Sequence, residues 1–132
     1  MEIGIDSFIM SSVGAGSVAR RNPVEVMREA LHRVVIADQV GLDSFGIGEH
    51  HRPEFLDSSP PVILAAAAAL TTNIRLTSAV VVLGAIDPVR LFQSFATLDV
   101  ISGGRAEMVV GRGSFTEAFS LFGRNLDVWS RD

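Results

Sequence analysis

The stretch FGIGEHHRPEF, residues 45–55, places an acid and two histidines directly after a run of strand-forming residues. Glu49, His50 and His51 have side chains that can bind a metal, act as a general acid and base, or end a strand without any chemical role. Neighbouring residues of a strand point to opposite faces and no third ligand follows at zinc-site spacing, so we expect no metal site. Two histidines after an acid favour proton transfer or ligand binding, provided that the fold places them where ligands bind.

A second candidate, GRGS at residues 111–114, ends a predicted strand and leads into a predicted helix. Glycine leaves the backbone accessible, and Arg112 at the approach to a helix suits a phosphate or a carboxylate. The alternative is an ordinary turn with a solvated arginine. These residues alone do not separate the two.

A third candidate, GAGSVA at residues 14–19, matches the glycine pattern of a dinucleotide-binding turn. In that turn the glycines run directly into a helix, and an acid follows about twenty residues later. Here the helix is expected to start at Pro23, and Glu49 comes too late in the chain. We therefore expect a flexible active-site loop at residues 14–19 instead of a dinucleotide fingerprint.

Composition excludes several classes of protein. The 132 residues are 48% hydrophobic and 20% charged, which suits one folded domain. The net charge is −4 without a basic run, so we expect no nucleic acid as a partner. The apolar runs are too short to span a bilayer, and the acidic Glu2 is unlike a secretory signal, which predicts a cytoplasmic protein without a membrane partner. The chain has no cysteine and all eleven basic residues are arginine, which excludes thiolate sites, the phosphate-loop lysine and Schiff-base lysines.

The helices that must position these candidates share one start signal, a capping residue followed by proline: Asn22-Pro23, Ser59-Pro60 and Asp87-Pro88. The first helix is expected to end at Gly41, the second near Asn73 and the third at Gly103. Between them, nearly continuous apolar runs predict buried strands at residues 3–8, 44–48, 74–82 and 106–110.

Alternating strands and helices predict an α/β fold with parallel strands and right-handed crossovers. Two architectures remain: a small doubly wound sheet, for which a flavodoxin-like strand order of 2-1-3-4 is expected, or half of a (β/α)8 barrel with the order 1-2-3-4. In both, ligands bind at the carboxyl ends of the strands. Glu49, His50 and His51 lie at such an end.

Four segments carry a more specific signal, and they occur in one order along the chain: EHHRPEF from residue 49, SAVVVLGAIDPVR from residue 78, LDVISGGRAEMVVGRGS from residue 98 and FSLFG from residue 119. Together they resemble the bacterial luciferase-like flavin-dependent monooxygenases, from the first strand to about Gly123. The resemblance implies that residues 1–132 are the N-terminal half of a (β/α)8 TIM barrel, with strands one to four and the helices between them.

The implied activity is that of an oxidoreductase that uses reduced FMN and O2 on a small organic substrate. The deazaflavin F420 is a less favoured cofactor, and a separate flavin reductase is a candidate source of reduced flavin. By the same resemblance, His50 is the catalytic acid or base, while Glu49 and His51 shape the pocket.

The resemblance also implies how the cofactor is bound. Ser78, Ala79 and Val80 are expected beneath the flavin ring, with a non-proline cis peptide between Ala79 and Val80. Arg112 is expected to contact the flavin phosphate, with the amide of Ser114 nearby.

The family barrel is much longer than this chain, so we expect an N-terminal fragment that is inactive by itself. A half barrel would leave strand edges unpaired and an inner face, expected to be lined by Ile5, Ile47 and Val110, without its opposite wall. We therefore expect a homodimer or a larger homo-oligomer. A non-catalytic flavin-binding or assembly module derived from the same fold is the alternative.

Overall fold

The computed structural model describes residues 1–11, 21–113 and 115–123. The strands of this part of the chain are β1 (Gly4–Ser7), β2 (Ser44–Ile47), β3 (Arg75–Ser78), β4 (Val81–Val82), β5 (Ala106–Glu107) and β6 (Val110–Gly111). Its helices are α1 (Pro23–Gln39), α2 (Pro60–Ala68), α3 (Pro88–Ser102) and α4 (Glu117–Leu121). The loop predicted at residues 14–19 lies outside the described residues. No described helix is long and apolar enough to cross a membrane.

Local capping explains where the long helices begin. The side chain of Asn22 accepts a hydrogen bond from the Val24 amide at 3.0 Å, and Asp87 accepts from the amides of Val89 and Arg90. These bonds satisfy amides that have no partner within the helix. The three predicted start positions are confirmed, since the helices begin at the predicted prolines, although Ser59 forms no side-chain capping bond before α2.

Helix α2 ends at Ala68, and its predicted end near Asn73 is wrong. The reason is a tertiary contact, because the guanidinium of Arg105 donates to the carbonyl oxygens of Ala68 and Thr71, each at 3.1 Å. The hydroxyl of Thr71 also donates back to the Ala67 carbonyl at 2.8 Å. Carbonyl groups that would accept amides of a further helical turn therefore accept hydrogen bonds from side chains.

The sheet decides between the two architectures. Strands β1, β2, β3 and β5 form one parallel sheet in that order, and β4 pairs with β6 in the same direction. Each strand therefore lies beside the next strand of the chain, which is the barrel order 1-2-3-4. The flavodoxin-like order 2-1-3-4 is excluded, and the chain adopts the strands and helices of part of a TIM barrel.

The predicted third and fourth strands are each interrupted, so that β3 and β4 are two parts of one strand and β5 and β6 are two parts of the next. Thr77 is opposite Glu107 and Val81 is opposite Val110. Between these two pairs, the first strand has three residues, 78–80, and the second strand has only two, 108–109. Such an extra residue is a β-bulge, a feature common next to active sites.

The two faces of the sheet differ in character. Phe45, Ile47 and Leu76 point towards the helices, where they pack with Val34 and Leu98 in the main core. Residues on the other face are small or polar: Gly4, Asp6, Ser44, Gly46, Arg75 and Thr77. The inner face of the barrel is therefore polar.

The predicted apolar lining of the inner face is wrong. Ile5 and Ile47 lie on the helix-facing side, because Ile5 is aligned with Phe45 and Ile47 is two residues further along the same strand. Val110 is aligned with Val81, which belongs to the helix-facing core. Ile5 and Val110 are 44% and 41% exposed because the described helices do not cover them.

Candidate active site

A cavity of about 150 Å³ opens at the carboxyl ends of the strands, where α/β barrels bind their ligands. Its described lining combines acids, histidines and apolar side chains: Phe8, Glu49, His50, His51, Ala79, Val80, Val82, Gly113, Phe115, Glu117 and Ala118. The fold thus brings residues 49–51 (the EHH segment) beside the Ala79–Val80 segment. Most of the lining residues come from the ends of neighbouring strands and the loops that follow them, and Glu117 and Ala118 come from the start of α4.

His50 is enclosed by aromatic rings and is only 8% exposed. Its imidazole stacks on Phe55 with 4.2 Å between ring centroids and an angle of 16° between the planes. Phe8 and Phe115 approach it edge-on, at 4.6 and 5.9 Å. The ring is therefore fixed in orientation and largely shielded from water.

The polar partner of His50 is Asp57, whose side chain is fully buried. The Nδ1 atom of His50 lies 3.1 Å from Oδ1 of Asp57, and the other carboxyl oxygen accepts from the Ile9 amide at 2.9 Å. Burial raises the pKa of Asp57 above its ordinary value, whereas the Ile9 amide and His50 act in the opposite direction. Buried acids with shifted pKa values are frequent at functional sites.

His51 forms a second acid–imidazole pair. Its Nε2 atom lies 2.6 Å from Oε1 of Glu49, and the other oxygen of Glu49 accepts from the Val82 amide at 3.0 Å. Its ring packs against Phe122 in a T-shaped arrangement, with 5.1 Å between the ring centroids. Glu49 therefore connects the EHH segment to strand β4. The described part of the chain contains no group of three or more His, Asp or Glu side chains that could hold one metal ion.

The predicted cis peptide between Ala79 and Val80 is present. The Ala79 amide donates to the Ile47 carbonyl at 2.8 Å on one side, and the Val81 amide donates to the Val109 carbonyl at 2.9 Å on the other. Ala79 and Val80 line the cavity. Ser78 does not belong to the described lining, and its hydroxyl is buried against the backbone of Val109.

The predicted phosphate site follows β6. Gly113 lines the cavity with a φ of +75°, a conformation that favours glycine, and a Cβ there would come within 3.0 Å of Val82. Arg112 follows the same strand and is exposed, outside the described lining of the cavity. Ser114 lies outside the described residues.

Several site residues were not predicted from the sequence. Asp57 precedes the helix-start signal at Ser59, and nothing in the local sequence indicates that it contacts a histidine seven residues earlier. Arg52 lies over the Phe115 ring at 5.0 Å and pairs with Glu117 at 3.1 Å. These contacts join the loop after β2 to the loop after β6 and to the start of α4, so only the folded chain reveals them.

Comparison with known proteins places this chain in a family. Residues 1–129 match the family model of the luciferase-like monooxygenases. The oxygenase component of a flavin-dependent trigonelline monooxygenase from Acinetobacter baylyi is 30% identical over 103 residues, 77% of this chain and 29% of the relative. The alkanal monooxygenase alpha chain of Photorhabdus luminescens is 31% identical over 104 residues, 78% of this chain and 29% of the relative. The chain thus spans about 30% of the length of such curated relatives.

Solved structures give the same result. The monooxygenase RslO1 from Streptomyces bottropensis has a TM-score of 0.83 and 29% identity, with 96% of this chain and 38% of that one covered. The oxygenating constituent of 3,6-diketocamphane monooxygenase from Pseudomonas putida, solved in complex with FMN, has a TM-score of 0.80 and 28% identity over 95% of this chain and 33% of that one. An F420-dependent tetrahydromethanopterin reductase from Methanopyrus kandleri, 24% identical over 92% of this chain and 30% of that one, shares the fold with a TM-score of 0.64. The chain belongs to the luciferase-like monooxygenase family.

Proposed function

We propose that the protein is a flavin-dependent monooxygenase that uses reduced FMN and O2 to oxidise a small organic substrate. The observation that carries the proposal is the cavity at the carboxyl ends of the strands, which His50 and His51 line together with Ala79 and Val80. Family membership supports an oxidoreductase, and a related structure was solved with FMN. The relative from Acinetobacter is named as an oxygenase component, which supports a separate reductase as the source of reduced flavin.

The residues present fit a flavin. Ala79, Val80 and Val82 give the cavity an apolar side suited to a flat aromatic ring, and His50 and His51 also line it. In this proposal the Ser78–Val80 segment lies beneath the ring, while Arg112 and the Ser114 amide bind the phosphate. When bound, reduced FMN supplies the electrons that activate O2.

The chain's own residues contribute proton transfer and the exclusion of water. His50 is the proposed acid or base, because its ring reaches the cavity and is held in one orientation by Phe55 and Asp57. Glu49 and His51 shape the neighbouring wall through their hydrogen bond and the contact with the Val82 amide. The aromatic rings around His50 restrict access of bulk water to the reacting atoms.

The first experiment measures flavin binding and O2 consumption by the protein expressed from its complete gene. FMN and F420 are titrated separately, and O2 consumption is followed with a flavin reductase, NADH and a panel of small aldehydes, ketones and aromatic compounds. We expect tighter binding of FMN than of F420, together with substrate-dependent O2 consumption. Absence of FMN binding would refute the proposal. Tighter binding of F420 than of FMN would identify F420 as the cofactor in place of FMN.

The second experiment tests His50. We expect His50→Asn to retain FMN affinity and to lower substrate-dependent O2 consumption about 10²- to 10⁴-fold, the usual range for loss of an acid–base catalyst. His32→Asn is the matched control, since His32 is exposed on α1, away from the cavity. Equal turnover of both variants would remove His50 from catalysis.

A further inference from the structure

Asp57 has no assigned role, yet it is the charged residue with the least exposure at the site. We propose that Asp57 is a positioning residue that holds His50 in the tautomer protonated at Nδ1, so that Nε2 presents its lone pair to the cavity. This inference rests on the proposed function, in which His50 transfers a proton. It adds the atom at which the transfer occurs and the residue that selects it.

The first argument comes from the two oxygens of Asp57. One of them receives the Ile9 N–H at 2.9 Å, and a backbone amide can only donate. The other lies 3.1 Å from Nδ1 of His50. The Ile9 amide and His50 both favour the ionised form of Asp57, in opposition to its burial. In that form the carboxylate only accepts hydrogen bonds, so Nδ1 donates and Nε2 is left as the acceptor.

The second argument is that Asp57 itself has little freedom to move. The Leu56 amide donates to the Ile9 carbonyl at 2.7 Å, and the Ser11 amide donates to the Glu54 carbonyl at 2.8 Å. These bonds hold the segment that carries Asp57 against the segment that follows β1. On the other side of the imidazole, a Cβ at Gly48 would come within 2.8 Å of Cε1 of His50, so backbone lies directly beside the ring.

The neighbouring histidine provides an internal comparison. Glu49 also has one oxygen bound to a backbone amide, that of Val82, and the other faces an imidazole nitrogen. In this pair the nitrogen is Nε2 of His51, so the same reasoning gives the opposite tautomer, protonated at Nε2. Two consecutive histidines are thus expected to carry their protons on different ring nitrogens.

The test is a ¹⁵N NMR measurement on the protein expressed from its complete gene with ¹⁵N-labelled histidine. Spectra are recorded at about pH 8.5, where imidazole side chains are generally neutral. Resonances are assigned by loss in His50→Asn, His51→Asn and His32→Asn. We expect a protonated Nδ1 and an unprotonated Nε2 in His50, and the reverse in His51. A proton on Nε2 of His50, with or without one on Nδ1, overturns the inference.

The variant Asp57→Asn makes a second prediction. The single carbonyl oxygen of Asn must accept the Ile9 amide, which turns its NH2 group towards Nδ1 of His50. His50 would then be forced into the Nε2-protonated tautomer with its ring in place. We expect this tautomer change, unchanged FMN affinity, and turnover lowered about 10²- to 10⁴-fold.

Asp38→Asn is the matched control, because Asp38, in the last turn of α1, also accepts backbone amides, but those of the α2–β3 connection. It should leave the His50 tautomer and turnover unchanged. If Asp57→Asn keeps the Nδ1–H tautomer or full turnover while His50→Asn is inactive, the positioning role of Asp57 fails and the proposed function survives. If His50→Asn is fully active, His50 is not the acid or base and the inference fails with it, while FMN-dependent O2 consumption still supports the proposed function. If the parent protein binds no FMN, the proposed function fails, whatever the tautomer.

Discussion

The hydroxyl of Ser78 makes two hydrogen bonds to the backbone of Val109, donating to its carbonyl at 2.8 Å and accepting from its amide at 3.0 Å. The contact spans the interruption between β3 and β4, where the sheet register gains one residue. A side chain thus replaces the backbone ladder at the point where the strand turns towards the cavity.

Ser78→Ala should therefore destabilise the fold without adding bulk. Removing the hydroxyl leaves the Val109 amide without this partner in a half-buried place, at a cost of about 1–2 kcal/mol in the free energy of unfolding. Urea unfolding followed by circular dichroism measures the change. Ser94→Ala is the control, since the hydroxyl of Ser94 donates to the Arg90 carbonyl of its own helix, and we expect a change in stability of less than about 0.5 kcal/mol. Equal stability of the two variants would show that the hydroxyl does not support the bulge.

Arg105 connects three elements through one guanidinium group. It donates to the carbonyl of Ala68 at the end of α2, to the carbonyls of Thr71 and Ile74 and the Thr71 hydroxyl in the connection to β3, and to the Ser102 carbonyl at the end of α3. Lysine keeps the charge but has three donors without the planar fork. We expect Arg105→Lys to lower the free energy of unfolding by about 2–3 kcal/mol, measured by urea unfolding.

The control for Arg105 is Arg90→Lys on the exposed side of α3, where the side chain bonds to Gln93 at 3.0 Å. That change should stay within about 0.5 kcal/mol. A similar loss in both variants would mean that charge or helix propensity, and not the fork of hydrogen bonds, explains the effect.

The sequence predicted those features that local residues determine. The starts of α1 and α3 depend on caps at Asn22 and Asp87 within the same turn, so they were readable without the fold. Regular alternation predicted parallel strands but left two strand orders open. The barrel order and the cis peptide at Ala79 followed from the family resemblance. The helix-start proline of α2, Pro60, was equally local.

Features that depend on distant partners were missed or wrong. The end of α2 is set by Arg105, far along the chain, and the bulge is set by Ser78 and Val109. The contact between Asp57 and His50 requires the Ile9 segment to lie alongside. The prediction of the inner face was wrong because it considered the apolar residues alone. In strands β1 and β2 these residues alternate with glycine and polar residues, and the latter form the inner face.

The lowered pKa of Asp38 predicts that the stability of the fold depends on pH. Burial acts to raise its pKa, but hydrogen bonds from the amides of Thr72, Ile74 and Asn73 outweigh burial, and the pKa lies below its ordinary value. A lowered pKa in the folded state means that the ionised form stabilises the fold above the ordinary pKa, and that this contribution is lost as the pH falls.

We therefore expect Asp38→Asn to destabilise the protein at pH 7 by about 1–2 kcal/mol, because the amide NH2 faces a backbone donor. The difference from the parent should shrink as the pH falls from about 7 towards about 3, through the ordinary pKa of an aspartate. Urea unfolding at both pH values measures it. A difference that stays constant with pH would assign the effect to packing instead of ionisation.

Arg112 tests the phosphate end of the proposed flavin site. A charge-assisted hydrogen bond to phosphate contributes about 1.5–3 kcal/mol, so Arg112→Ala should raise the dissociation constant of FMN about ten- to a hundredfold. Riboflavin has the same ring without the phosphate, so its affinity should be equal in the variant and the parent. Arg33→Ala, on the exposed side of α1, is the matched control and should leave both affinities unchanged. Fluorescence titrations measure the affinity of both variants for both flavins. An equal loss of FMN and riboflavin affinity in Arg112→Ala would show that Arg112 supports the fold of the site and does not bind the phosphate.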